Sequence, residues 1–154
     1  MLVTMKEILD RAKKDNYGVT SIMVDRSSLS YEDNIAQTKE TVKMCRPLNI
    51  SVEAELGHVG QGEDYSSDGS DHFTKPEEAK KFVEETGIDC LAVAIGTAHG
   101  RYHGTPHIDF DLLKQITDVV DIPLVLHGGS GIPDSKVQEA INRGICKVNY
   151  ATEL

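Results

Sequence analysis

The chain has 154 residues, 39% hydrophobic and 27% charged, which is enough for one domain with a sizeable core and short for a two-domain enzyme. Its formal charge of −9 argues against a nucleic-acid or membrane partner, because such a field repels phosphate backbones and anionic lipid, while a small phosphorylated ligand needs only a local cluster of donors. Three scattered cysteines (Cys45, Cys90 and Cys146) make no disulfide framework, and neither a membrane-length apolar run nor a signal-peptide core is found, so a cytoplasmic protein is expected.

Thr4 and Glu7 stand in capping-box spacing, and Met5, Ile8, Leu9 and Ala12 follow at helical intervals, so residues 5–14 read as an amphipathic helix. The period then changes. "TSIMVD" (20–25) is β-branched and apolar and reads as a buried strand, followed by a helix over residues 31–45. "ISVEAELG" (50–57) is the next strand, with Val52, Ala54 and Leu56 on one face and Glu53 and Glu55 on the other. Residues 57–73, rich in glycine, serine and acid, read as a mobile loop. Thr74 is expected to cap a helix that has Pro76 and Glu77 in its first turn and stops at Gly87. Then come strand "CLAVAIG" (90–96), a helix over 110–120, strand "PLVLH" (123–127), a helix over 133–143 closed by Gly144, and strand "CKVNYA" (146–151). Such alternation calls for a parallel sheet with helical crossovers.

Polar residues gather at the strand ends. Asp25 ends the first strand, Glu55 the second, His99 follows the third, His127 ends the fourth and Asn149 the fifth. Ligands of parallel α/β folds bind at the carboxyl ends of strands. An imidazole that ends an apolar run and is followed by glycine suits a metal ligand, and two imidazoles with carboxylates suit zinc or a similar divalent ion. Blander readings stand beside this one. A strand-end histidine can be a packing residue, Asp25 a helix cap or turn residue, and Glu53 or Glu55 a solvent-facing acid on an edge strand. His58, His72, His103 and His107 fall in loops and receive no role. The "HGGSG" turn (127–131) can cradle phosphate with backbone amides, aided by Ser130 and Thr152, or be a plain strand-to-helix turn.

"SVEAELG", "GIDCLAVAIGTAHG", "IPLVLHGGSGIP" and "CKVNYATEL" together resemble the signature segments of class II, metal-dependent ketose-bisphosphate aldolases, which act on fructose or tagatose bisphosphate. The resemblance spans nearly the whole chain. It implies one incomplete barrel domain over residues 1–154: an α/β fold, part of a (β/α)8 TIM barrel, with about five parallel βα units equivalent to strands 4 to 8 plus an N-terminal helix. It implies a homo-oligomeric, zinc-dependent lyase of carbohydrate metabolism that interconverts a ketose bisphosphate with dihydroxyacetone phosphate and an aldehyde phosphate, with a monovalent cation as a further ion. By motif, His99 and His127 resemble two of three zinc histidines, and Asp25 and Glu55 the carboxylates of a second or displaced metal position. Glu63 resembles the loop glutamate that exchanges a proton beside the carbonyl. Gly100, Gly128, Gly129, Ser130, Asn149, Tyr150, Ala151 and Thr152 resemble the dihydroxyacetone-phosphate site.

The chain also departs from that pattern. Gly18 and Val19 lead straight into the equivalent of the fourth strand, so the family's His-Leu-Asp-His-Gly segment, with a third zinc histidine and an acid/base aspartate, has no counterpart. Five βα units fit this length, whereas a closed barrel takes about 250 residues. Two other function classes are therefore carried: a non-catalytic aldolase remnant or interaction module that pairs through open sheet edges, and a flavodoxin-like domain that binds an anionic ligand.

Overall fold

The computed structural model describes residues 7, 9, 10, 18–59, 72–100, 102 and 106–151. Five parallel strands form one sheet: β1 (Ser21–Val24), β2 (Ser51–Leu56), β3 (Cys90–Val93), β4 (Leu124–Leu126) and β5 (Ile145–Val148). Helices α1 (Tyr31–Cys45), α2 (Pro76–Thr86), α3 (Phe110–Thr117) and α4 (Asp134–Asn142) make the crossovers, and a short 3₁₀ turn (Arg46–Leu48) follows α1. The spatial order is the chain order, β1-β2-β3-β4-β5. A flavodoxin-like sheet reverses direction after its first strand, so this order overturns that reading. Of the expected N-terminal helix, Glu7, Leu9 and Asp10 are helical and Leu9 is buried in the core, while its other residues lie outside the described ones.

The two faces of the sheet differ. Val52, Ala54 and Leu56 of β2, Leu91 and Val93 of β3, and Leu124 and Leu126 of β4 join one apolar cluster with Val42, Phe82, Leu113 and Ile116 of the helices. Strand residues in between point the other way. Register aligns Met23 with Glu53 and Glu53 with Cys90, then Glu55 with Ala92, Ala92 with Val125 and Val125 with Lys147. This second face therefore carries charge.

The chemistry of each helix start explains its boundary. Ser30 caps α1 by accepting from the Asp33 N–H, and Asp109 caps α3 by accepting from the Leu112 N–H. Thr74 does not cap α2. The N-cap is Lys75, without a side-chain cap bond, because the Thr74 hydroxyl donates to the Leu56 carbonyl and accepts from the Ala94 N–H, stitching the ends of β2 and β3. Gly87 ends α2 in the left-handed region at φ 67°.

The strands stop short of their apolar runs. β3 ends at Val93 rather than Gly96, β4 at Leu126 rather than His127, and β5 at Val148 rather than Ala151. The residues that leave the ladder keep their apolar neighbours but turn toward adjacent loops. The Asp109 N–H reaches the Ile95 carbonyl and the Gly129 N–H reaches the Asn149 carbonyl.

Candidate active site

The site lies where β2, β3 and β4 end. Glu53 and Glu55 share one face of β2 and are each 1% exposed, so neither is a solvent-facing acid of an edge strand. Between them sits His127, 4% exposed. Its Nδ1 lies 2.8 Å from Glu55 Oε2 and its Nε2 lies 2.9 Å from Glu53 Oε1. An imidazole facing a carboxylate at both nitrogens satisfies both contacts only as a double donor. Burial alone lowers the His127 pKa, but the hydrogen bonds the ring donates to Glu53 and Glu55 outweigh it and hold the ring up at about 9. Glu53 responds in the opposite sense. Burial raises its carboxyl, and the hydrogen bonds of His127 and Lys147 carry it below the ordinary value.

Lys147 reaches across from β5 to place Nζ 2.5 Å from Glu53 Oε2. The buried carboxylates thus have two cationic partners, which makes their burial tolerable. Glu55 is fixed further: its Oε1 accepts from the Ser27 hydroxyl at 3.1 Å and the Val59 N–H at 3.2 Å. Its backbone carbonyl accepts from the side chain of Asn34, a buried residue of α1.

His99 is half-buried on the segment after β3, and its ring centroid stands 5.7 Å from that of His127 at an interplanar angle of 39°. One ligand atom each from Glu55, His99 and His127 lies within 4.8 Å of the others. Two imidazoles and a carboxylate at this spacing fit a zinc-like divalent ion. Because Nδ1 of His127 faces Glu55 while Nε2 faces Glu53, Glu53 is in place to orient the ring from behind, a common arrangement for metal-bound histidine.

A cavity of about 360 Å³ opens over this cluster. His99, Glu55 and His127 form its floor, and Asp25, Gly100 and Gly128 line it as well. Ser130, Asn149 and Ala151 close the side toward β5, and Met23 is the single lining residue not singled out from the sequence. Asp25 is exposed and its Oδ1 accepts from the Ser27 N–H at 2.9 Å, so it lines the cavity without joining the three-residue cluster. The Ser130 hydroxyl accepts from the Ala151 N–H at 3.3 Å. Gly129 packs against Val148 and gives its N–H to Asn149, and Tyr150 is 42% exposed; neither lines the cavity. Glu63 and Thr152, and the loop expected over residues 57–73 beyond Val59 up to His72, lie outside the described residues. His58, His72 and His107 are exposed, and His103 is outside the described residues.

Glu53, given no role from the sequence, is the buried acceptor of His127 Nε2. Its signal was present, since it stands two residues from Glu55 and so shares its face. Among the described residues no helix is long and apolar enough to cross a membrane.

Comparison with known proteins accords with this geometry. The family model for fructose-bisphosphate aldolase class-II matches residues 3–154. Among solved structures, the YdjI aldolase of Escherichia coli K12 is 43% identical, with a TM-score of 0.81 over 98% of this chain and 51% of that one. The fructose-bisphosphate aldolase of Campylobacter jejuni is 26% identical, with a TM-score of 0.70 over 93% of this chain and 46% of that one. The chain thus spans about half the length of the structures it matches.

Proposed function

The chain belongs to the class II fructose-bisphosphate aldolase family, its five strands being part of that family's barrel, and from that premise we propose that it binds zinc at Glu55, His99 and His127 and receives a ketose phosphate above it. The observation that carries this reading is the convergence of one carboxylate and two imidazoles within 4.8 Å on the floor of a 360 Å³ cavity. When bound, the divalent ion supplies a Lewis acid that polarises the ketose carbonyl and stabilises negative charge on its oxygens.

The chain's own residues supply the rest. Glu53 accepts from Nε2 of His127, which leaves Nδ1, now facing Glu55 Oε2, as the nitrogen that would hold a metal ion once its proton is lost. Ser27 and Val59 hold Glu55 Oε1 and Nδ1 of His127 meets Oε2, so a cation would reach Oε2 by displacing the proton between the two side chains. Ser130 and the strand-end backbone around Gly128 and Asn149 offer polar groups to the phosphate end of the substrate. Glu63 moves the proton on the carbon beside the carbonyl, a task for a carboxylate that meets substrate in a water-poor site. The reaction is reversible aldol cleavage of fructose or tagatose 1,6-bisphosphate, giving dihydroxyacetone phosphate and glyceraldehyde 3-phosphate.

The test is a cleavage assay of the purified chain with fructose 1,6-bisphosphate and zinc, run beside His99→Ala. Turnover that disappears in the variant supports the reading. Zinc uptake without turnover reduces it to metal and substrate binding, and no zinc uptake removes it. The reading of a non-catalytic remnant draws on one observation: β1 and β5 each pair on one side only among the described residues.

A further inference from the structure

Two loops carry the two histidines, and one hydroxyl joins them. The Ala98 N–H donates to the Tyr102 hydroxyl at 2.7 Å, and that hydroxyl donates to the Gly128 carbonyl at 2.9 Å. Ala98 directly precedes His99, and Gly128 directly follows His127. The two backbones are already in contact here: a Cβ on Gly128, where φ is +68°, would sit 2.2 Å from the Ala98 carbonyl oxygen. The ring of Tyr102 lies against Gly131, whose absent Cβ would come within 3.4 Å of it.

Neither histidine loop is tied to the other by the parallel ladder, because β3 pairs with β4 only at Leu91 with Leu124 and Ala92 with Val125. Beyond those residues the separation of the loops is set by what bridges them. A phenol can accept and donate at once and sits on a rigid ring, so one side chain fixes both the distance and the direction of two backbones. A metal-type site is sensitive to shifts well below 1 Å, which is why groups supporting the ligands matter as well as the ligands.

We infer that Tyr102 is a positioning residue whose hydroxyl clamps the His99 and His127 loops together and so sets the spacing of the two imidazoles. The inference deepens the proposed metal reading and rests on it, because the consequence of the spacing is metal affinity. It concerns no step of the reaction, and turnover is not its readout.

The test uses the whole chain with three residues at position 102: Tyr, Phe, and p-aminophenylalanine. The amine of the last stands where the hydroxyl stood and can donate to Gly128 and, more weakly, accept from Ala98. Zinc affinity is measured by competition with a chromophoric chelator, cobalt(II) absorption bands report ligand geometry, and amide exchange of Ala98 is followed in the metal-free chain. Tyr102→Phe is expected to lower zinc affinity about 10- to 100-fold, to shift the cobalt bands, and to speed exchange at Ala98 while Leu91 in β3 is unchanged. The p-amino ring is expected to recover part of the affinity. Affinity within about twofold of the wild type in Tyr102→Phe, or a loss that the p-amino ring leaves untouched, overturns the clamp. If Tyr102→Phe does not fold, the p-amino chain decides: affinity near the wild type supports the clamp, and affinity lowered tenfold overturns it. A wild-type chain that takes up no zinc removes the metal reading instead. The clamp is then judged by exchange alone, faster at Ala98 in Tyr102→Phe supporting it and unchanged exchange overturning it.

Discussion

The middle of the sheet and its margins hold their polar groups in different ways. Glu53 and Glu55 on β2 and His127 after β4 come from strands paired on both sides, and they are 1%, 1% and 4% exposed. Asp25 after β1, and Lys147 and Tyr150 on or after β5, come from strands paired on one side among the described residues, and all three are exposed. The central groups have partners on nearly every polar atom, whereas the marginal ones reach inward by single contacts such as Lys147 to Glu53. Rigid, fully hydrogen-bonded supports are what a metal-type site needs, and adaptable edges suit a ligand that enters and leaves. The difference predicts that damage will fall with distance from β2 and β4.

His127→Ala is the hardest test of the centre. It strips both Glu53 and Glu55 of a hydrogen-bond partner and leaves buried negative charge facing itself. Breaking a buried pair from one side costs about 3–5 kcal/mol, and the metal-type cluster is reduced to two residues. The expectation is abolished zinc uptake together with a large drop in the urea midpoint. His99→Ala sharpens the contrast: zinc uptake is lost as completely, but stability falls by about 1 kcal/mol or less, since His99 is half-buried and outside the Glu53–Glu55 pair. Equal stability losses for the two would erase the distinction between buried network and rim.

The same network makes stability depend on pH in the metal-free chain. His127 faces Glu53, Glu55 and the ring of His99, with Lys147 on the far side of Glu53. Its pKa is raised from 6.5 to about 9, so its contribution is fully present below about pH 6.5 and is lost as pH rises through about 9. The Glu53 carboxyl lies below its ordinary 4.5, so its contribution is present above that value and fades as pH falls through the depressed one. These two groups therefore favour the window between about pH 4.5 and 6.5, and the loss from pH 6 to 9.5 reaches up to about 3 kcal/mol. Urea midpoints at the two pH values check it, and His127→Ala is expected to flatten the difference.

Next in size is Glu53→Gln, which keeps the shape of the side chain and removes its charge. His127 loses a carboxylate acceptor at Nε2 and Lys147 loses its ion-pair partner. Zinc affinity is expected to fall about 10- to 100-fold, the usual cost of altering a group behind a metal ligand. Isothermal competition titration reads this, and an affinity unchanged within twofold would mean that Glu53 serves packing and charge balance only.

Much of this arrangement is legible in the sequence because local period and strand-end chemistry agree. The apolar runs ending at His99, His127 and Asn149 place all three near one end of the sheet, and the two-residue spacing of Glu53 and Glu55 places them on one face. The strand ends are harder to read. Hydrophobicity continues through Ile95 and Ala98, which stay buried after the ladder has ended, so a run of apolar residues overstates β3. Thr74 shows the same limit: a hydroxyl before Pro76 looks like a cap, and only the approach of β2 and β3 reveals that it bridges Leu56 and Ala94. Tyr102 has no local signature, because the two backbone atoms its hydroxyl bridges lie 4 and 26 residues away.

The margin gives the smallest expected effect and the cleanest way to break the comparison. Asp25 lines the cavity but stays exposed, and its carboxylate accepts the Ser27 N–H at Oδ1, which an asparagine carbonyl can do as well. Asp25→Asn is therefore expected to change stability by no more than about 0.5 kcal/mol. It removes one negative charge from the cavity rim, where solvent screens it, so zinc affinity should shift by less than about threefold while the cobalt(II) bands remain in place. A tenfold loss of zinc affinity, or a change in those bands, would mean that the carboxylate swings inward to join Glu55, His99 and His127 when the ion arrives. The edge of the sheet would then hold the metal as firmly as its centre.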